Sequence, residues 1–285
     1  MIYDAAIIGT GPAGLSAAMN LKQLGKQFVW FGTANFSDKV QKSEMIANYP
    51  GTGYVTGPEL NDRFRRQAQE MDLPITDKMV TNISHMGDRY MLLAENDLYE
   101  ARTVLLATGM NAAKGFAGET ELLGRGVSYC ATCDGFLYRG KTIAVYCGAK
   151  RFEHEVEYLA GMAQKVYLYT GYKDRSLELQ NVEYLPMPIR AVKGGLRIAA
   201  VELTDGTEFA VDGLFCLRSA VAPTTLLPGI QTDGTHIVVD RGMRTNLPGC
   251  FAAGDCTGRP YQIAKAVGEG NIAAHSIVEY LAAVK

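Results

Sequence analysis

The sequence predicts an α/β chain of two Rossmann-like, three-layer ββα domains, one of them interrupted by the other. Three observations carry that expectation. A strand–turn–helix–strand pattern opens the chain around Gly9-Thr10-Gly11-Pro12-Ala13-Gly14, a second begins near residue 141, and buried strands ending in small residues recur near both ends. The outer segments belong to one nucleotide-binding pattern. The first domain is therefore expected to comprise 1–113 and 242–285, with 114–241 inserted.

Residues 3–8 form an apolar strand pattern, followed by the glycine turn, an Ala/Leu-rich helix pattern to about Leu24 and a strand at 27–31. Glycine at 9, 11 and 14 permits a tight turn and lets a pyrophosphate approach the helix N-terminus, where backbone donors and the dipole favour an anion. Pro12 and Ala13 complete this cradle. The second strand ends Val29-Trp30-Phe31-Gly32-Thr33, with no acid to hold a ribose, which argues against NAD at this site. A buried strand at 104–109 ends in Ala107, Thr108 and Gly109, small enough for a cofactor to lie against the backbone. Another, at 249–255, ends in Gly254 and Asp255. Asp255 is placed either to accept ribityl or phosphate-side hydrogen bonds or to cap the next helix, predicted over 262–283.

The insertion begins with Cys130-Ala131-Thr132-Cys133-Asp134. Thiols at this spacing make and break one disulfide, and a helix starting here would stabilise a thiolate by its N-terminal amides and dipole. Asp134 stands where a carboxylate can pass the proton exchanged by the thiols. The same pair is half a zinc site, but no second CxxC or histidine pair follows, so no metal is expected. A βαβ pattern then occupies 141–146, 152–163 and 165–169. Its turn, Cys147-Gly148-Ala149-Lys150-Arg151-Phe152, presents large side chains where a pyrophosphate would need glycine. A strand meander is predicted at 182–185, 189–192, 196–204 and 208–217.

At 47 % hydrophobic and 20 % charged, the 285 residues can bury sizeable cores. A net charge of −2, with no basic helix or charge block, gives no basis for a nucleic-acid partner. No apolar run approaches a membrane span, and the N-terminus has no export pattern, so a cytoplasmic setting is expected. Six cysteines form no dense disulfide framework. Cys147, Cys216, Cys250 and Cys256 read as small buried side chains. His85, His154, His236 and His275 are scattered and read as structural or surface residues.

Together these residues resemble the low-molecular-weight thioredoxin reductases over essentially the whole chain. The resemblance rests on Gly9, Gly11 and Gly14, on Ala107-Thr108-Gly109, on Cys130-Ala131-Thr132-Cys133-Asp134 and on Gly254-Asp255. It implies an FAD domain, a homodimer and thioredoxin as the protein substrate. Where the family has Arg-Gln-Ala beside the flavin, this chain has Tyr261-Gln262-Ile263, so Gln262 and Ile263 are the expected backbone contacts. NADPH-dependent members carry Gly-Gly-Gly-Asn-Ser-Ala in the second βαβ turn and His-Arg-Arg after the following strand. This chain has 147–152 as above and Thr170-Gly171-Tyr172. Each lost charged hydrogen bond to the nucleotide costs about 1.5–3 kcal/mol. Lys173 and Arg175 lie close by as substitute phosphate ligands, while Lys150 and Arg151 also read simply as solvated charges.

The pattern is similar to that of the ferredoxin-dependent flavin thioredoxin reductases, which implies ferredoxin as electron donor. Ferredoxins are acidic, so a basic surface is expected, with Lys150, Arg151, Arg139 and Arg259 as candidates. The family mechanism implies that Cys133 faces the flavin, Cys130 attacks thioredoxin and Asp134 serves as acid and base. It also implies a domain rotation about hinges near 112–115 and 240–245, containing Gly115 and Gly242. The competing readings are an NAD(P)H-dependent reductase with an atypical site, a flavin-binding sensor that does not turn over, and a diflavin-type disulfide reductase.

Overall fold

The computed structural model describes residues 1–109, 115–129, 131–218, 222–234 and 236–284, with the side chains of Asp38, Thr132 and Cys133 also outside the described set. Cys130 and most of the first predicted hinge, 112–114, fall outside it. The chain divides into two units, Met1–Ala112 with Pro223–Lys285, and Ala113–Ala222.

The first unit opens with β1 (Ile2–Ile8), α1 (Pro12–Gln23), β2 (Phe28–Phe31), α2 (Asp38–Gln41), α3 (Gly57–Glu70), β3 (Val80–His85), β4 (Tyr90–Ala94) and β5 (Asp97–Leu106). β1 runs parallel to β2 and β5, pairing Ile7 with Trp30 and Leu105. Ala5 to Ile8 are all buried, as expected for a parallel strand covered on both faces. α3 starts at a capping box in which Glu59 N–H donates to Thr56 Oγ1 and the Thr56 N–H to Glu59 Oε2.

The inserted unit contains β6 (Val127–Ser128), α4 (Ala131–Asp134), β7 (Thr142–Cys147), α5 (Glu153–Ala160), β8 (Lys165–Thr170), β9 (Val182–Tyr184), β10 (Ile189–Gly194), β11 (Ile198–Leu203), β12 (Glu208–Ala210) and β13 (Gly213–Leu217). A parallel sheet runs β6-β13-β7-β8-β9, and β10-β11-β12 form a separate antiparallel sheet. The predicted meander is therefore corrected at both ends. The strand at 182–185 joins the parallel sheet as β9, and 208–217 is two strands in different sheets. The reason is a change of burial period. Glu208 to Ala210 alternate as on a half-solvated sheet, whereas Gly213 to Leu217 are all buried. Asp212 marks the switch, its N–H donating to Thr142 O at 2.8 Å and its carboxylate accepting from Thr142 N–H at 3.0 Å.

The chain returns to the first unit with α6 (Pro223–Leu226), β14 (Thr232–Asp233), β15 (His236–Ile237), β16 (Cys250–Ala252) and α7 (Ile263–Ala283). β16 extends the sheet beside β5, pairing Phe251 with Leu105. α7 packs on α1 through small residues. A Cβ on Gly270 would lie 2.2 Å from the Ala13 carbonyl oxygen, so only glycine allows the approach. The expected second boundary at 241/242 is corrected to 222/223, because α6 packs on β3 and β15 on the turn after β16. Gly242, expected in a hinge, instead lies inside the first unit, with its N–H bonded to Asp240 Oδ1 at 2.8 Å.

Cys147, Cys216, Cys250 and Cys256 are free and buried, as the sequence predicts. Burial pushes all four thiols up, Cys256 to about 11 and Cys250 to about 12. Unfolded, these thiols ionise near 9.0. Their folded values are raised, so their contribution to stability is intact below about pH 9 and is lost as the pH climbs towards 11–12. The melting temperature is therefore expected to decline steadily from pH 8.5 to 10.5 in scanning calorimetry. A flat profile would contradict this.

Candidate active site

The opening turn divides its glycines between packing and access. Gly9 has φ +117°, and a Cβ there would lie 2.2 Å from Ala107 O; one on Gly14 would lie 1.9 Å from Gly9 O. Trp30 Nε1 donates to Gly9 O at 2.9 Å and so braces the turn from below. Gly11 differs. A Cβ there would meet no described atom within 4 Å, so this position faces open space. Gly11 is also the N-cap of α1, with no side-chain cap among the described residues, no acid in the first turn, and Pro12 at the helix start. Uncapped amides facing open space at a helix N-terminus suit a pyrophosphate.

Gly109, with φ +66°, is equally open and follows Ala107, whose N–H bonds Ile8 O at 2.8 Å. Across the sheet, α7 holds the Gly254–Gly258 turn. Lys265 Nζ donates to Gly254 O at 2.8 Å and Gly258 O at 2.9 Å, while Glu269 Oε2 accepts from Gly254 N–H and Thr257 Oγ1, each at 2.8 Å. Asp255 does not cap α7, whose N-cap is Gln262. It begins a short 3-10 turn and pairs with Lys39 at 2.5 Å. Gln262 Oε1 accepts from Asn48 Nδ2 at 2.8 Å, and Ile263 opens the helix. His236 was expected to stand apart from every motif. The β14–β15 hairpin instead brings its Nε2 within 2.7 Å of Tyr261 Oη, next to Gln262, and Lys39 and Arg259 lie over the same ring at 4.8 and 5.6 Å.

In the inserted unit, β6 leads through Tyr129 to the dithiol motif. Cys130 and the Cys133 side chain lie outside the described residues, but α4 covers Ala131–Asp134 and runs into a 3-10 turn, Gly135–Tyr138. The expected helix is thus only four residues of α-helix. Few peptide dipoles align in so short an element, so the thiolate stabilisation expected from a macrodipole is correspondingly small. Asp134 is held by a short bond, its Oδ2 accepting from Ser128 Oγ at 2.6 Å. Phe136 and Leu137 follow and are 59 % and 52 % exposed, an apolar pair beside the motif.

The second βαβ turn is built to opposite electrostatics from the first. Lys150–Phe152 form a 3-10 turn, Phe152 is buried, and Glu153 and Glu155 occupy the first turn of α5. Tyr172 Oη donates to Glu153 Oε1 at 2.6 Å and lies 3.7 Å from Cys147 Sγ, closing the turn. Burial and then the Glu153 carboxylate push the Tyr172 phenol well up, so it stays a donor. Lys150 pairs with Asp174, and the Arg151 guanidinium lies over the Phe152 ring at 4.9 Å. A phosphate approaching this helix would meet carboxylates. Lys173 and Arg175 remain on the rim of an open pocket of about 380 Å³, lined also by Tyr169 and Tyr172.

Comparison with known proteins gives these features a family. The pyridine nucleotide-disulphide oxidoreductase family matches residues 3–150 and 174–270. A thioredoxin reductase of Listeria innocua is 32 % identical over an alignment of 304 residues, spanning 100 % of this chain and 95 % of that protein. A ferredoxin-flavin thioredoxin reductase from Clostridium acetobutylicum superposes with a TM-score of 0.92 at 40 % identity, over 100 % of this chain and 99 % of that one. The chain belongs to the low-molecular-weight thioredoxin reductase family, in its ferredoxin–flavin branch.

As a member of that family it is an FAD-dependent disulfide oxidoreductase. The residues present fit FAD: the space over Gly11, the uncapped start of α1 and the braced Gly254–Gly258 turn are what a dinucleotide needs. Sequence reading missed Lys39, Asn48, Lys265, Glu269 and His236. Lys265 and Glu269 were legible as an i,i+4 pair on the last helix; the others carry no local signal. No helix among the described residues is long and apolar enough to cross a membrane.

Proposed function

We propose that the protein reduces thioredoxin through Cys130 and Cys133 with electrons drawn from ferredoxin. The observation that carries the choice of donor is the contrast between the two βαβ turns. The first is open and free of acids; the second is filled by Phe152 and carries Glu153 and Glu155 where a nucleotide's phosphates would sit. Bound FAD supplies the conversion between a one-electron donor and a two-electron disulfide. The chain's residues do the rest. The Cys130 thiolate attacks one thioredoxin sulfur and breaks that disulfide, forming a mixed disulfide. Cys133 then attacks the Cys130 sulfur, which releases reduced thioredoxin and leaves the 130–133 disulfide. Asp134, oriented by Ser128, gives a proton to the leaving thiolate and takes it back as the next thiol ionises. The exposed Phe136 and Leu137 offer the protein substrate an apolar contact beside the dithiol.

A homodimer in a reducing cytoplasm completes this reading, in keeping with four buried cysteines kept as thiols. The NAD(P)H-dependent alternative rests on Lys173 and Arg175. Two lost charge-assisted hydrogen bonds, at about 1.5–3 kcal/mol each, correspond to roughly 100-fold or more in nucleotide affinity. The test is anaerobic thioredoxin reduction by the holoenzyme, measured by thiol counting, with NADPH, NADH or reduced ferredoxin as sole donor. Turnover is expected with ferredoxin, at least about 100-fold above either nucleotide. Comparable turnover with a nucleotide would reject the proposal.

A further inference from the structure

Glu119 and Arg218 form a buried ion pair inside the inserted unit. Arg218 Nη1 and Nη2 donate to Glu119 Oε1 and Oε2, each at 2.8 Å, and the side chains are only 6 % and 2 % exposed. Glu119 also accepts from Phe116 N–H and Tyr129 Oη, both at 2.8 Å, which saturates its carboxylate. The guanidinium lies over the Phe116 and Tyr146 rings at 4.6 and 5.0 Å. Its Nε is buried without an acceptor among the described residues.

Stability alone accounts poorly for this arrangement. A buried pair seldom outperforms apolar residues of the same volume, and an unsatisfied buried donor adds a further penalty. Its position suggests another role. The register of β6 on β13 sets Ser128 beside Phe215, so the end of β13 delivers Arg218 next to the segment leading into the dithiol. Tyr129 is the residue before Cys130. Its phenol is pushed well up by burial and then by the Glu119 carboxylate, and remains a donor to it. Beyond the motif, Asp134 is tied to Ser128. The residues flanking the dithiol are therefore both held, Asp134 by Ser128 and Tyr129 by the ion pair.

We propose that Glu119 and Arg218 are positioning residues for the dithiol, fixing Tyr129 and through it Cys130 in the orientation that thiol–disulfide exchange requires. The proposal rests on the reading of Cys130 and Cys133 as the exchanging pair. Two thiols whose flanking residues are both held have a high effective concentration, which favours the disulfide; releasing one flank shifts the pair towards the dithiol. Backbone pairing between β6 and β13 would persist in side-chain variants, so they isolate the clamp.

The test uses the holoenzymes of wild type, Tyr129→Phe, Arg218→Lys and Glu119→Gln, equilibrated in dithiothreitol redox buffers with thiol labelling of residues 130 and 133. Neither ferredoxin nor thioredoxin enters this measurement. Tyr129→Phe removes one hydroxyl and keeps the ring, so it reports even where Glu119→Gln fails to fold. It is expected to move the equilibrium about fivefold towards the dithiol, roughly 20 mV for a two-electron couple. The kcat for thioredoxin should fall by a similar factor with KM unchanged. Arg218→Lys, which keeps the charge and loses the fork, should give a shift of the same sign. Variants with a lowered melting temperature but wild-type equilibrium and kcat would make the pair purely structural and overturn the proposal. A wild-type pair that does not titrate at all would instead overturn the underlying reading, and this one with it.

Discussion

Replacing Cys133 with serine is expected to reduce thioredoxin turnover by at least about 1,000-fold, the scale on which loss of an essential nucleophile acts. Serine cannot take part in the disulfide whose reduction to a dithiol stores two electrons between flavin and substrate. Reduction of the flavin by ferredoxin should continue, because that step precedes the dithiol. The substitution also separates the roles of the two thiols. With Cys130 intact and its resolving partner gone, attack on oxidised thioredoxin stops at the mixed disulfide, which should accumulate as a covalent adduct in non-reducing gels. Cys130→Ser should lose activity as completely and give no adduct. An adduct formed through Cys133, or turnover above about one part in a thousand in either variant, would reverse or dismiss the assignment.

The second large effect concerns the first turn. Gly14→Ala places a Cβ 1.9 Å from Gly9 O, where backbone on both sides cannot yield without opening the α1–β1 junction. The strain is on the order of 3 kcal/mol, which for a chain of this size lowers the melting temperature by roughly 6–12 °C. Flavin should be lost with it. Gly11→Ala is the control that separates packing from binding. Its Cβ meets no described atom, and Gly11 already has φ −69°, which any residue adopts. The flavin-free protein should therefore melt within about a degree of wild type, while FAD affinity falls by about tenfold or more because the methyl group stands where the pyrophosphate approaches. Scanning calorimetry of the stripped protein measures the first and its titration with FAD the second. Normal affinity in Gly11→Ala would mean that the cofactor does not lie over this turn.

Local patterns were the most legible part of the chain. The expected strand at 3–8, helix to Leu24, strand at 27–31 and final helix over 262–283 match β1, α1, β2 and α7 closely, because their burial periods are long and uninterrupted. The 208–217 segment reads along the chain as one strand because its β-branched and apolar residues run on past Asp212, whereas its halves join different sheets. The boundary expected at 241/242 failed for a related reason. α6 and the β14–β15 hairpin carry too little hydrophobic pattern to declare which unit they pack against. The cysteine motif and glycine turns were visible because spacing alone identifies them. The partners that hold them were not. Ser128 reaches Asp134 across a turn, Arg218 reaches Glu119 across 99 positions, and Lys39 reaches Asp255 across 216.

The sequence by itself determined the two βαβ units, the open glycine cradle, the dithiol and the large side chains at 150–152 of the second turn, since each is written in residues close together in the chain. Only the tertiary structure decided how that second turn is closed. Read along the chain, Lys150 and Arg151 are solvated charges or part of a basic docking surface. Folded, Lys150 is taken by Asp174, Arg151 lies on Phe152, and Glu153 with Tyr172 holds the helix start. The physical reason is that a site's electrostatics depend on which charges are paired and which are buried, and both depend on contacts between residues distant in sequence.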